Sequence, residues 1–137
     1  MSDLELIEEA KRARKMAYVP YSKFKVGAAL LTGEGEIIHG CNIENAAYTP
    51  CNCAERTAFF KAISEGIYDF EKIAVVGGFK DEDTDIMCTP CGVCRQVMQE
   101  FCNPKKFEII MADTMGGVKS MKLEELLPLG FGPDNLK

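Results

Sequence analysis

The amino-acid sequence predicts an α/β fold, a mixed five-stranded sheet sandwiched by helices, and three observations predict it. Two apolar segments flank the turn Thr32-Gly33-Glu34-Gly35 early in the chain, the pattern of a hairpin. After it, helical and β-branched segments alternate, the pattern of strand crossovers. No repeat, low-complexity stretch or Pro/Gly/Ser linker interrupts the 137 residues, and 47% hydrophobic content is enough for one core. Residues 1–137 are therefore read as a single domain.

The first helix is placed at 3–17. Ser2 with Glu5 makes a capping box, Leu4, Ile7, Ala10, Ala13 and Ala17 recur at helical spacing, and Pro20 is the stop. The hairpin follows as a strand at 24–31 and a returning strand at 36–40, and a long loop then spans 41–52. Residues 53–64 are helical in pattern and finish before Gly66, while 72–79 is the β-branched run of a buried strand. A polar loop at 80–90, a helix at 91–101 and a strand at 107–112 repeat that unit. Thr114-Met115-Gly116-Gly117 turns the chain into a short last strand at 118–121.

Charge narrows the function classes. A net charge of −5 argues against polyanionic partners, and the densest basic cluster, Lys11-Arg12-Ala13-Arg14-Lys15, reads as a solvated helix face. No uncharged apolar run is long enough to cross a bilayer, and the acidic start Met1-Ser2-Asp3-Leu4-Glu5 is unlike a signal sequence. The expected location is the cytoplasm, with neither nucleic acid nor membrane as partner. In a reducing compartment, seven unevenly spaced cysteines point to metal ligation and buried free thiols rather than disulfides.

Two short stretches carry the chemistry. Cys53-Ala54-Glu55 and Pro90-Cys91-Gly92-Val93-Cys94 supply three thiolates and one carboxylate. A structural zinc is normally closed by four protein ligands, whereas a catalytic zinc keeps one position for water and a nearby acid/base to move its proton. Cys53, Cys91 and Cys94 are the candidate ligands and Glu55 the candidate acid/base. Cys53 and Cys91 each begin a predicted helix, where free N–H groups and the positive dipole end stabilise thiolate. Cys91 and Cys94 lie one turn apart on a single helix face. Cys-x-x-Cys alone also occurs in redox motifs and structural knuckles; a third cysteine followed two residues later by Glu sharpens the pattern into that of a zinc nucleobase deaminase.

The resemblance extends over nearly the whole chain. Residues from Ala17-Tyr18-Val19-Pro20-Tyr21-Ser22-Lys23-Phe24 through Leu30, then Gly40-Cys41-Asn42-Ile43-Glu44-Asn45-Ala46-Ala47-Tyr48, then Cys53-Ala54-Glu55-Arg56-Thr57-Ala58 resemble the small homotetrameric cytidine deaminases. That resemblance implies a three-layer α/β/α fold, one zinc per subunit, and hydrolytic deamination of free cytidine and 2′-deoxycytidine in pyrimidine salvage. It implies that Glu55 passes a proton from water to N3 of the ring, and a second to the leaving amine. Zinc with three thiolates carries a formal charge of −1, and Arg56 is implied to drain that charge by donating hydrogen bonds to the sulfurs. Asn42 and Glu44 are implied on the ribose 3′-hydroxyl, Phe24 on the pyrimidine face and Ala54 through its backbone amide. Tyr48 is implied to reach a neighbouring subunit's ligand, with Tyr21 on the same surface. Leu126-Leu127-Pro128-Leu129-Gly130-Phe131-Gly132-Pro133 resembles the segment whose aromatic residue, Phe131 here, closes an adjacent site.

Two other readings stay open at this point. Blasticidin S deaminases share the three-cysteine pattern, and the Asn42-x-Glu44 pair, suited to a ribose, separates them from a nucleoside enzyme. Cys51 and Cys88 lie close enough in sequence to the ligands to suggest a closed, non-catalytic zinc module, which would have no need of Glu55. Cys41 and Cys102 read as small buried hydrophobes, and His39, the sole histidine, has no metal-type spacing.

Overall fold

The computed structural model describes residues 1–79, 87–112 and 117–137. In chain order the elements are α1 (Asp3–Arg14), β1 (Lys25–Thr32), β2 (Ile37–Cys41), α2 (Ala54–Ser64), β3 (Phe70–Gly78), α3 (Gly92–Phe101), β4 (Glu108–Ala112), β5 (Val118–Lys122), α4 (Leu123–Leu126) and a closing 3₁₀ turn (Pro133–Leu136). The five strands form one mixed sheet in the order β2-β1-β3-β4-β5. β1 pairs antiparallel with both β2 and β3, β3 and β4 run parallel, and β5 returns antiparallel on β4. Residues 80–86 of the predicted polar loop, and Thr114, Met115 and Gly116 of the predicted turn, lie outside the described residues.

Alternation along the strands builds two cores. Ala28, Leu30, Ile73, Val75, Ile109 and Met111 face α2 and α3, and the intervening Ala29, Leu31, Ala74, Val76, Ile110 and Ala112 face α1. The result is the expected three-layer α/β/α arrangement, and burial on both faces explains the continuous apolar runs of β1 and β3.

Connection geometry decides where chemistry can occur. β2 and β3 are both antiparallel to β1 and so run parallel to each other, with α2 as the crossover between them; α3 makes the next crossover, from β3 to β4. Both strands therefore end at the same edge of the sheet, where Gly27 pairs with Cys41 and Lys25 with Gly78. The N-termini of α2 and α3 start from that edge, the usual place for ligands in open α/β sheets.

Small residues let α2 lie close. Ala54, Ala58 and Ala62 recur on its buried face, and a Cβ on Gly40 would meet the Ala54 carbonyl oxygen at 2.3 Å. Gly27 does the same for α1, where an added Cβ would come within 2.4 Å of the Arg14 nitrogen.

Helix α1 departs from the sequence expectation in two ways. It stops at Arg14 rather than 17, because Tyr18 leaves to form a bridge with Ile43 and its N–H donates to the Asn42 carbonyl. Its inner stripe is Leu6, Ile7, Ala10, Ala13 and Arg14, so Leu4 is exposed and Arg14 is only 1% exposed instead of belonging to a solvated basic face. Arg14 continues the i, i+4 row of Leu6 and Ala10, which turns it toward the sheet. The four-residue α4 and the C-terminal 3₁₀ turn have no counterpart among the predicted elements.

Candidate active site

Both crossover helices begin on cysteine. Cys53 and Cys91 are the N-cap residues of α2 and α3, with extended backbone and no side-chain capping hydrogen bond. Ser, Thr, Asp or Asn would ordinarily bond the helix's free amides from that position; these thiols instead turn toward each other. Cys53 Sγ lies 3.7 Å from Cys91 Sγ, Cys91 Sγ donates to Cys94 Sγ at 3.4 Å, and all three sulfurs lie within 4.8 Å of one another. A disulfide would bring two sulfurs to about 2 Å, and all seven cysteines are free. Tetrahedral zinc with Zn–S bonds of about 2.3 Å places its sulfurs about 3.8 Å apart, so the spacing fits a zinc ion.

The cluster holds three candidate ligands, Cys53, Cys91 and Cys94, and no fourth among the described residues. Cys51 is engaged elsewhere, its sulfur accepting the Asn45 N–H at 3.2 Å. Cys88 lines the adjoining cavity outside the cluster, its thiol pushed up to about 12 by burial. Three sulfurs leave a tetrahedral position for solvent, as a catalytic site needs and a closed staple does not.

Glu55 follows Cys53 on the first turn of α2 and is 3% exposed. Burial pushes its carboxyl up to about 7, with a further push from the neighbouring Cys53 sulfur. A carboxyl that titrates near neutrality can both take and return a proton. Arg56 sits one turn along from Cys53 and its Nη2 donates to Cys53 Sγ at 3.1 Å. Hydrogen bonding to Cys94 and to Arg56 holds the Cys53 thiol well below its ordinary range, while Cys94, sharing its proton with Cys53, moves up.

Beside the sulfurs lies a cavity of about 270 Å³, lined among others by Val26, Asn42, Glu44, Ala54, Glu55 and Cys88. A larger one, about 380 Å³, sits at the far end of α3 against the C-terminal 3₁₀ turn and contains none of the ligand cysteines. Where Asn42 lines the smaller cavity, its side chain acts as a strand partner for β1. Its Oδ1 accepts the Val26 N–H at 2.8 Å and its Nδ2 donates to the Phe24 carbonyl at 2.9 Å. Glu44 Oε1 accepts the N–H groups of Tyr21 and Ser22, both at 3.1 Å, and hydrogen bonding to Ser22 holds its carboxyl below the usual range. These bonds tie loop 18–24 to loop 41–52 and fix both side chains at the cavity rim.

The aromatic residues named from sequence are distributed differently. Phe24 is not among the residues lining the cavity; its ring lies beside Cys88, which does line it, both about the same point of Gly77. Tyr48 and Phe131 line no part of it and face outward, 72% and 56% exposed. Tyr21 packs edge-on against Tyr48, ring centroids 6.3 Å apart. Cys41 and Cys102 are half-buried rather than fully inside, and the His39 ring pairs with Glu9 at 2.8 Å, away from the metal ligands. Val26, Asn52 and Thr89 were not expected on the cavity wall. An apolar strand residue and two loop residues carry no chemical signature that a linear pattern could expose.

Comparison with known proteins agrees with this geometry. The family model of the cytidine and deoxycytidylate deaminase zinc-binding region matches residues 1–111. A cytidine deaminase of Sporosarcina psychrophila is 51% identical over 132 residues, 96% of this chain and 93% of its own. A blasticidin-S deaminase of Bacillus cereus is 38% identical over 132 residues, 94% and 91% of the two chains. The crystal structure of cytidine deaminase from Burkholderia pseudomallei superposes with a TM-score of 0.85 at 49% identity, covering 96% of this chain and 100% of that one. The match to the family's zinc-binding region spans the helix starts that gather the three sulfurs, and with it the chain belongs to the cytidine and deoxycytidylate deaminase family.

Proposed function

We propose that the protein deaminates free cytidine and 2′-deoxycytidine hydrolytically to uridine and 2′-deoxyuridine, releasing ammonia, in pyrimidine salvage. The observation that carries the reading is a three-sulfur cluster at zinc spacing with a buried carboxyl next to it, at the floor of a cavity rimmed by Asn42 and Glu44. Cys53, Cys91 and Cys94 hold one zinc per subunit. When bound, the ion supplies a polarised water as nucleophile at neutral pH.

Glu55 moves the protons. It takes one from the attacking water and delivers it to N3 as C4 becomes tetrahedral, then carries the hydroxyl proton from C4 to the amine. The C4–N bond breaks with ammonia as the leaving group and a C4 carbonyl remains, so water and cytidine balance uridine and ammonia. Proton transfer of this kind contributes about 10²–10⁴ in rate. Arg56 withdraws charge from the sulfurs, the Ala54 backbone N–H holds the base, Phe24 stacks on its face, and Asn42 and Glu44 orient the ribose. Glu44 also favours nucleosides over nucleotides, because a fixed carboxylate at the sugar repels phosphate.

The similarity to a blasticidin-S deaminase keeps a second aminohydrolase reading in view. The Asn42–Glu44 rim favours the nucleoside, since both side chains are held in place by backbone bonds at the cavity mouth. A cytoplasmic homotetramer, with Tyr48 and Phe131 completing neighbouring sites, belongs to the same proposal; no helix among the described residues is long and apolar enough to cross a membrane. Purified zinc-loaded protein mixed with cytidine should shift the ultraviolet spectrum to that of uridine, with Glu55→Gln inert. A fully metallated protein that converts no cytosine nucleoside would refute the assignment.

A further inference from the structure

The cavity has one wall to which the reaction above gives no role. Cys88 lines it without belonging to the sulfur cluster. A Cβ built on Gly77 would lie 3.0 Å from Cys88 Sγ and 3.0 Å from Cε1 and Cζ of Phe24. The thiol and the ring thus converge over one bare stretch of β3. Phe24 is fixed from behind by Phe79, edge-on with centroids 5.0 Å apart. Cys88, Val26 and Met87 also pack against the apolar cluster under α2 and α3. This patch is apolar, whereas Asn42, Glu44, Asn52, Glu55 and Arg56 make much of the remaining lining polar.

A cytosine ring has two unlike edges. The N3/O2 edge needs hydrogen-bond donors and a proton carrier, and on the reading of the preceding section the first turn of α2 supplies these through Ala54 and Glu55. The C5/C6 edge carries only C–H bonds and is best met by close-packed apolar surface. Cys88 arrives from the other ligand segment, the one leading into α3, and offers that kind of surface. Resting on that functional reading, we propose that Cys88, set over the side-chain-free Gly77, is the specificity-determining wall for the C5 position of the pyrimidine. The size of residue 88 sets how large a 5-substituent the enzyme accepts.

The test is internal competition. Cytidine and 5-methylcytidine are mixed in one reaction and the ratio of the two products is read for wild type, Cys88→Ala, Cys88→Val and Cys88→Ile. That ratio equals the ratio of kcat/KM values, so any fraction of a variant that is misfolded or short of zinc cancels. A methylene in an apolar pocket changes discrimination about 10- to 200-fold. Cys88→Ala should raise relative use of the 5-methyl substrate about 10-fold, and Val and then Ile should lower it by a similar factor or more. A parallel competition of cytidine with 2′-deoxycytidine, which differ only at the sugar, should stay within about 2-fold. A 5-methyl ratio unmoved in every variant would overturn the proposal, as would one that shifts no more than the sugar ratio, the mark of general loosening. Wild-type protein with full zinc that converts neither base would instead sink the deaminase reading, and the wall with it.

Discussion

Glu55 is a carboxyl kept where an unliganded protein would rather not have one. Its folded-state value of about 7 lies above the ordinary 4.5, so between these values the native state retains a proton that the unfolded chain has released. In metal-free protein, the contribution of Glu55 to stability should therefore fall as pH rises from about 4.5 through 7. Glu55→Gln removes this penalty. The metal-free variant should be more stable than metal-free wild type at pH 8, by at most about 3 kcal/mol, with the gap closing below about pH 4.5; urea unfolding at the two pH values measures it. The same substitution should lower kcat by at least about 10²–10⁴ while zinc content stays at one per chain. Arg56 poses the converse case, since its guanidinium gives Nη2 to Cys53 while its Nε is buried without a hydrogen-bond partner among the described residues. Arg56→Gln should leave the fold intact and weaken zinc retention against a chelator about 10- to 100-fold, or slow turnover. Unchanged metal affinity together with an unchanged rate would rule that role out.

Among the elements, the two helix starts were readable because a thiol at a helix N-terminus is a local feature, and Cys53-x-Glu55 with Cys91-x-x-Cys94 announces both the turn and the chemistry. All five strands were located to within about two residues; the apolar runs of β1, β3 and β4 stand out because both their faces are buried, whereas β2 and β5 were placed by the turn residues before them. What stayed hidden depends on tertiary meeting. Apart from the family resemblance, Asn42 and Glu44 carry no more signal than turn residues, and their bonds to loop 18–24 emerge only in the fold; the end of α1 likewise depends on Tyr18 finding Ile43. Helices as short as α4 lack enough turns to show a period. Gly40 was likewise silent in sequence, yet it decides how α2 seats. Gly40→Val would drive its Cβ against the Ala54 carbonyl, backbone that cannot swing aside as a side chain could. The expected result is a loss of about 1–3 kcal/mol or more together with zinc below one per chain. Normal stability with full metal would mean that α2 is free to shift without disturbing Cys53.

At the level of the whole molecule, a single chain leaves aromatic side chains where they gain nothing. Tyr48 is exposed with a φ of 65°, a costly backbone for a bulky residue, and it leans on Tyr21, itself exposed. Phe131 is held outward at a fixed place, because Gln96 Nε2 donates to its carbonyl at 2.8 Å and Arg95 Nη1 anchors the preceding turn through the Leu126 carbonyl. If the proposed assembly covers these positioned rings, each contributes roughly 1.5–3 kcal/mol on burial. If Tyr48 and Phe131 complete a neighbour's cavity, catalysis and assembly are one equilibrium. Specific activity should then fall on dilution as sedimentation shows a four-subunit species dissociating, and added concentrated protein should restore it. Phe131→Ala should keep one zinc per chain, since the residue is remote from the sulfurs, but should move the activity loss to higher protein concentration. A variant that dissociates with undiminished turnover would confine the active site to one chain.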